Sequence, residues 1–588
     1  MCGIAGVLEI SGPIDLSART RQMIETLSHR GPNGLRVQQC SDWSVAHARL
    51  SIIDLEGGWQ PLTAAGSTII GNGEIYNFVE LIEEFGLAAH LHTGSDFEPI
   101  LHLYARLGPA AFGRLRGMYA FCFIGHDGRT WLVRDPFGIK PLSVRSEPSG
   151  EIAFASEPRA LMADKGLAKP AVSLDAISDL MALNYVTPSG ANGGSAWVGL
   201  ELIRPGQIRA VGEASSSEAI KDLPLLDPEP LPPLRNEREA LRQLDAVLDD
   251  SLQIHQRSDV GYGLFLSGGI DSATLATLMA RQNTRPVTAW TCGFEAEGAV
   301  DERRAAERIA VSLGLDWHEA RFGEEDFWTI APQVASILDQ PTSDYAILPT
   351  YKLAQAARQN LTVVLSGEGG DELFGGYGRY RRAMRPRWLG GRAAEPQIAA
   401  HFLKDGGASA LARWRSCAAQ ASQTGMSALQ NAQLADIATW LPADLLLKLD
   451  RCLMAHGLEG RTPFLDRAVT RFAFSLPDRM KVRGRHGKWL LRKWLEHNCP
   501  AAEPWARKKG FTVPVAAWIA PRAADLGPSI AATALIRDLC DPDAVRAVFQ
   551  DAKHSAQRWP LLFTALWSLI HIEDVPASAA LGQLIRPM

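Results

Sequence analysis

The sequence predicts an α/β protein of two domains: a strand-rich N-terminal unit over residues 2–210 and a C-terminal unit over 237–588 built on a parallel sheet. Three observations carry this. Short apolar runs such as Met118–Ile124 and Trp131–Val133 are separated by Gly, Asp and Asn turns, as in a set of short strands. The stretch Leu223–Arg235 contains DPEPLPPLR, which has no periodicity and reads as part of a linker over 211–236. Beyond it Leu241, Leu244, Val247, Leu248 and Leu252 fall on one helical face. Apolar strands at Gly261–Leu266, Val287–Cys292 and Leu361–Leu365 then alternate with helical stretches, the pattern of βα units. The Ala-, Gln- and Arg-rich stretch Pro386–Leu446 is expected to be helical.

Composition narrows the function. With 46% hydrophobic and 21% charged residues the chain can bury a core, which excludes wholesale disorder. A formal net charge of −5 gives no general field for nucleic acid or an anionic membrane. The longest apolar stretch, Leu561–Ile572, is interrupted by Thr564 and Ser568 and falls short of the roughly 20 residues a bilayer requires. No charged segment followed by an apolar core opens the chain, so no signal peptide is expected. The 8 cysteines form no CxxC pair or zinc-like cluster, and they read as reduced thiols of a cytoplasmic protein.

The opening MCGIAGV places Cys2 after the initiator methionine. Methionine removal is expected before so small a residue. It would expose an α-amine with a pKa near 8, so one residue could supply both nucleophile and proton acceptor. Alone, Cys2 reads first as a small residue that happens to follow Met. It is followed by HRGPNG (His29–Gly34), HARLSIID (His47–Asp54), GNGEIYN (Gly71–Asn77), TGSD (Thr93–Asp96) and RDPFGIKPL (Arg134–Leu142). An Asn side chain with a neighbouring backbone N–H suits an oxyanion, and an Arg fork suits a carboxylate. Taken singly, Arg49 is also a surface ion-pair partner and Asn72-Gly73 a hairpin turn.

In the second unit GYGLFLSGGIDS (Gly261–Ser272) runs from an apolar strand into Ser267-Gly268-Gly269, with Asp271-Ser272 opening a helix. Glycines let backbone N–H groups approach phosphate oxygens at a helix N-terminus. No GK[ST] follows, so this is not a Walker loop. LSGEGGDELFGGY (Leu365–Tyr377) sets Glu368, Asp371 and Glu372 among glycines after another apolar strand. Carboxylates at such a place need a cation or a substrate amine, although a polar surface turn would also have this composition.

The first series resembles the glutaminase domain of the N-terminal-nucleophile amidotransferases. The second resembles the ATP-pyrophosphatase domain of glutamine-hydrolysing asparagine synthetases. The resemblance implies an αββα sandwich followed by an α/β parallel-sheet domain. It implies Cys2, Asn72, Gly73 and Glu368 as catalytic residues. Glutamine would be bound by Arg49, Leu50, Ser51, Ile52, Ile53, Asn72, Gly73, Glu74 and Asp96. ATP would be bound by Phe265, Ser267, Gly268, Gly269, Asp271, Ser272, Cys292, Ser366, Gly367 and Lys508, with Mg²⁺ on Asp271 and Asp371. Cys292 reads equally as a small buried residue, and Arg507 and Lys509 beside Lys508 as a solvated run. In LDRCLMAHGLEGRTPFLD (Leu449–Asp466), Glu459 and Arg461 are either a structural ion pair or part of the chemistry. The implied partners are glutamine, ATP and aspartate, with no nucleic acid or membrane, and a homodimer as the assembly. Ser143, Gln340 and Tyr345 depart from the family pattern and leave the acceptor open. Uronate-amidating and peptide-ring-closing enzymes share this architecture, and a regulatory protein derived from a synthetase is the non-enzyme alternative.

Overall fold

The computed structural model describes residues 2–8, 16–165, 168–190, 192–212, 222–226, 231–232, 234, 236–295, 302–385, 388, 391, 394–507 and 513–585. The strands of the first half are β1 (Gly3–Leu8), β2 (Leu35–Gln39), β3 (Trp43–Ala48), β4 (Leu62–Ala64), β5 (Ser67–Ile75), β6 (Gly117–Ile124), β7 (Thr130–Arg134), β8 (Ser143–Ser146), β9 (Ile152–Ala155), β10 (Leu200–Leu202) and β11 (Ile208–Val211). They form two antiparallel sheets, ordered β10-β8-β9-β1-β3-β2 and β11-β7-β6-β5-β4.

Period-2 alternation assigns each side chain a face. On β1, Ile4 and Leu8 enter the layer between the sheets, where they join Val45, Ile70, Cys122, Leu132 and Phe154. Ala5 and Val7 turn outward against Met23, Ile24 and Leu27 on the flanking helix Leu16–Glu25. On β6, Ala120 and Cys122 face inward, while Tyr119, Phe121 and Phe123 pack outward against helix Glu98–Leu107. The layers are thus helix, sheet, sheet, helix. Gly6 is required because a Cβ there would lie 2.5 Å from the Phe154 ring.

The second half is organised by β12 (Tyr262–Phe265), β13 (Thr288–Phe294), β14 (Asp316–Phe322), β15 (Val363–Leu365) and β16 (Glu459–Arg461), all parallel, in the order β14-β13-β12-β15-β16. The chain moves outward from β12 to β14, then returns to place β15 on the other side of β12. This reversal makes a switch point, and in such sheets a ligand crevice opens beyond the carboxyl ends of the two strands concerned. The loops that follow β12 and β15 are SGGIDS and SGEGGDE.

One expectation is corrected. Pro386–Leu446 is only partly helical. Helices span Ala408–Ala421 and Ala428–Ala438, whereas the described residues from 394 to 407 form no helix. Pro396, Gly406 and Gly407 break the periodicity there, and both glycines take positive φ. Within residues 211–236, Leu223 is buried with Ile208 and Trp131, and its N–H donates to Gly206 O at 2.7 Å. Most of the apolar stretch near the C-terminus, Leu561–Leu569, is buried on helix Arg558–His571, which packs against helix Glu324–Ile337. Among the described residues no helix is long and apolar enough to cross a membrane.

Polar contacts, some buried and some at the surface, fasten the halves together. Arg116 Nε lies 2.7 Å from Asp466, Arg257 lies 2.5 Å from Glu80, and Lys140 Nζ donates to Gly460 O at 3.5 Å.

Candidate active site

Cys2 stands at the head of β1, the strand between β9 and β3. Its N–H donates to Asn72 Oδ1 at 3.1 Å, its thiol lies 3.9 Å from Leu50 O, and Arg30 Nε donates to Cys2 O at 3.1 Å. Desolvation pushes the thiol pKa up. Asn72 is fully buried on β5. With Oδ1 turned to Cys2, its Nδ2 has no hydrogen-bond partner among the described residues. A buried amide NH₂ is costly to leave unpaired, and it is the donor that an oxyanion beside the thiol would use. Gly73 has φ +139°, and a Cβ there would lie 2.0 Å from Met118 O, so no other residue fits.

The expected glutamine residues surround this point. Arg49 is buried and stacks 4.8 Å from the Trp59 ring, with its Nη groups donating to Leu55 O at 3.1 Å and Asp54 O at 2.5 Å. Ser51 N–H donates to Asn33 Oδ1, Ile52 O accepts from Asp259 N–H, and Ile53 is half-buried. Glu74 is buried with Oε1 3.7 Å from Arg461. Burial, then the charges of Glu459 and Asp96, raise its pKa well above the usual carboxylate range. Asp96 Oδ2 accepts from Ile75 N–H at 2.6 Å, and burial raises its carboxyl to about 7. Two buried acids crowded in this way favour a cation between them. Glu459 and Arg461 form an ion pair at 2.6 Å, and Arg461 reaches from β16 to Glu74.

The second site is the crevice at the switch point, an open cleft of about 870 Å³. Phe265, Ser267, Gly269, Asp271, Ser272, Cys292, Ser366, Gly367, Glu368 and Asp371 all line it. Ser267 Oγ accepts from Gly269 N–H at 3.1 Å and bonds Ser272 Oγ at 2.9 Å, which folds SGG around the start of helix Ile270–Gln282. Gly268 sits against the helix beginning at Arg303, where its own Cβ would meet Ala305 Cβ at 2.8 Å. A Cβ on Gly367 would lie 2.9 Å from Asp271 Cβ, and one on Gly370 would lie 2.4 Å from Asp271 Oδ1. These glycines therefore let the two loops touch. Burial raises the Glu368 carboxyl, opposed by the Lys448 ammonium. Lys508 lies outside the described residues.

Sequence reasoning missed two residues. Lys488 Nζ bonds Asp271 and lies 2.8 Å from Asp371, so one ammonium joins both loops. Its neighbourhood, where Lys and Arg are scattered, gave no spacing to mark it, although its φ of +54° sets it apart in the structure. Arg30, fully buried, pairs with Glu157 at 2.7 Å and with Asp450 of the synthetase half at 2.8 Å.

A family model described as Glutamine amidotransferase domain matches residues 1–219, and one described as Asparagine synthase matches residues 243–572. Asparagine synthetase (glutamine-hydrolyzing) 1 of Bacillus subtilis is 30% identical, covering 97% of each chain. A putative asparagine synthetase (glutamine-hydrolyzing) of Mycobacterium tuberculosis is 31% identical over 97% of this chain and 98% of its own. Asparagine synthetase B of Escherichia coli is 28% identical over 87% and 82%. With one domain model matched on each half and full-length similarity to these relatives, the chain belongs to the glutamine-hydrolysing asparagine synthetase family.

Proposed function

We propose that this protein converts aspartate to asparagine, with glutamine as nitrogen donor and ATP cleaved to AMP and pyrophosphate. The observation that supports it most is the unpartnered Asn72 Nδ2 beside Cys2, in a chain whose second cleft gathers both phosphate-type loops. The names of its full-length relatives support aspartate as acceptor. We assign glutaminase to residues 2–210, the linker to 211–236 and the synthetase to 237–588.

In the first site the Cys2 α-amine, freed by methionine removal, takes the thiol proton. The thiolate attacks the glutamine amide carbon. Asn72 Nδ2 and the Gly73 N–H receive the oxyanion, while Arg49, the Leu50–Ile53 segment, Glu74 and Asp96 hold the amino-acid end. Ammonia leaves, and water releases glutamate from the thioester.

In the second site the aspartate β-carboxylate attacks the α-phosphorus. The α–β phosphoanhydride bond breaks and pyrophosphate departs. Ammonia, passed internally and so kept unprotonated, attacks the acyl carbon and expels AMP. Glu368 acts at adenylate formation. Ser267, Gly268, Gly269, Ser272, Ser366 and Gly367 cradle phosphates, and Phe265 and Cys292 flank the adenine. We assign Lys508 to the phosphates as well. Asp271 and Asp371 offer hard carboxylate oxygens that Lys488 already draws to one point on the cleft wall, which fits Mg²⁺. They would hold it, and it would supply charge neutralisation for the departing pyrophosphate.

An acceptor screen tests the assignment: glutamine-dependent pyrophosphate release with aspartate, sugar uronates and peptide carboxylates. Aspartate is expected to support release, with Glu368→Gln lowering its rate more than ATP binding. Release with a uronate or peptide and none with aspartate would reject the acceptor and keep the two-site mechanism.

A further inference from the structure

An amino-acid acceptor activated through one carboxylate still carries a second carboxylate and an ammonium. Most cations around Glu368 are already engaged. Lys448 Nζ lies 2.7 Å from Asp344 and is flanked by Asp444, and Lys488 is held by Asp271 and Asp371. Lys481 is buried, donates to Gln433 at 2.8 Å, and is pushed by burial down to about 7.

Arg379 differs. Its Nε and Nη2 both donate to the same oxygen, Asp436 Oδ2, at 3.2 and 2.8 Å. Nη1 has no hydrogen-bond partner among the described residues, and the side chain is 22% exposed. The guanidinium lies 4.4 Å from the Tyr377 ring and 4.5 Å from the Trp440 ring. Its open edge is therefore held in one direction before any ligand arrives, and little freedom is lost on binding. Both rings are tied to the activating site. The Tyr377 hydroxyl donates to Glu372 at 2.6 Å, in the same loop as Glu368. Trp440 Nε1 donates to Asp444 at 2.5 Å, and the charges of Asp344 and Lys448 act on both Asp444 and Glu368.

Charge adds a second constraint. Glu368, Glu372 and Asp444 are crowded beside Asp344 and Asp371, and burial raises their carboxyls, Glu372 to about 8 and Asp444 to about 7, so an added cation among them would favour their charged forms. A wholly anionic acceptor would be repelled there, whereas one that carries its own ammonium is accommodated.

We propose that Arg379 is a specificity-determining residue whose open edge binds the acceptor carboxylate that is not activated, while the neighbouring acids receive its ammonium. This rests on the two-site synthetase reading and narrows its acceptor to an α-amino dicarboxylic acid.

The test uses the full-length protein with ammonia as nitrogen source, comparing wild type with Arg379→Gln, Arg379→Lys and Asp436→Asn. Arg379→Gln is expected to raise the aspartate KM roughly 10- to 100-fold, the scale of one lost charged hydrogen-bond pair, with kcat and ATP affinity within about threefold. Arg379→Lys should recover part of the loss. Asp436→Asn removes the charge of the ion pair but keeps an oxygen that can accept from the guanidinium, which the two rings still hold, and should leave the aspartate KM within about threefold. If Asp436→Asn reproduces Arg379→Gln, or if ATP affinity falls in parallel with acceptor affinity, Arg379 is structural and the proposal fails. Wild-type pyrophosphate release with a uronate and none with aspartate also overturns it, leaving the two-site reading intact. No release with any carboxylate overturns that reading as well.

Discussion

Replacing Asp450 with Leu should weaken the protein and impair the glutaminase, although Asp450 lies in the synthetase half. Arg30 is 0% exposed and Asp450 3%. Arg30 Nη1 and Nη2 reach Asp450 Oδ2 and Oδ1 at 2.8 and 3.1 Å, a bidentate fork. Asp450→Leu removes both bonds and leaves the guanidinium with Glu157 and the Cys2 carbonyl. Charged hydrogen bonds contribute about 1.5–3 kcal/mol each, and breaking a buried pair costs about 3–5 kcal/mol. Glu157 still compensates Arg30, so we expect about 3 kcal/mol, the low end of that range. Arg30→Met should cost a similar amount. The double variant should be less destabilised than the sum by about 2–3 kcal/mol, because neither change then strands the other's charge. Urea unfolding followed by tryptophan fluorescence, arranged as a double-mutant cycle, measures the coupling. The sign with pH follows from the carboxyl. Burial raises its pKa, but Arg30, Lys140 and Arg451 together outweigh burial and leave it below the ordinary value. Its contribution is therefore complete above the unfolded pKa of about 3.9 and is lost as pH falls through the lower folded value. A coupling energy under about 0.5 kcal/mol, or normal glutaminase in Asp450→Leu, would refute the link.

Cys2→Ala should lower glutamine-dependent amide formation at least about a thousandfold while ammonia-dependent formation stays within about threefold, as read by product chromatography. Asp271→Asn should cut pyrophosphate release about 100-fold or more with either nitrogen source and spare glutamine hydrolysis, provided the loop contact with Gly370 survives. The Asp96 carboxyl, raised by burial to about 7, is charged above that pH and neutral below it. The glutamine KM should therefore rise as pH is lowered through about 7, and Asp96→Asn should flatten that rise in a steady-state pH series.

Much of this was legible in the sequence because loops at fixed places carried their own chemistry. SGGIDS and SGEGGDE each follow an apolar strand, and parallel pairing of β12 with β15 makes them neighbours. Asn72 and Gly73 could be read for the same reason: they lie on one β-strand opposite Cys2. Lys488 could not be read in this way, since it meets Asp271 from 217 positions away and no local pattern encodes that contact. The Arg30–Asp450 pair spans 420 positions and was equally silent. Helix content between residues 394 and 407 was overestimated because alanine-rich composition hid the break at Gly406-Gly407.

The segment from Leu446 to Arg461 contacts both halves within 16 residues. Lys448 pairs with Asp344, Asp450 with Arg30 behind Cys2, Arg451 with Glu157, and Arg461 reaches toward Glu74. The two halves are consequently not exchangeable modules. A chimera that joined this glutaminase to the synthetase of a distant relative would inherit a foreign version of this segment. It would present mismatched charges to Arg30 and Glu157 behind Cys2, even with every residue of both reaction centres intact.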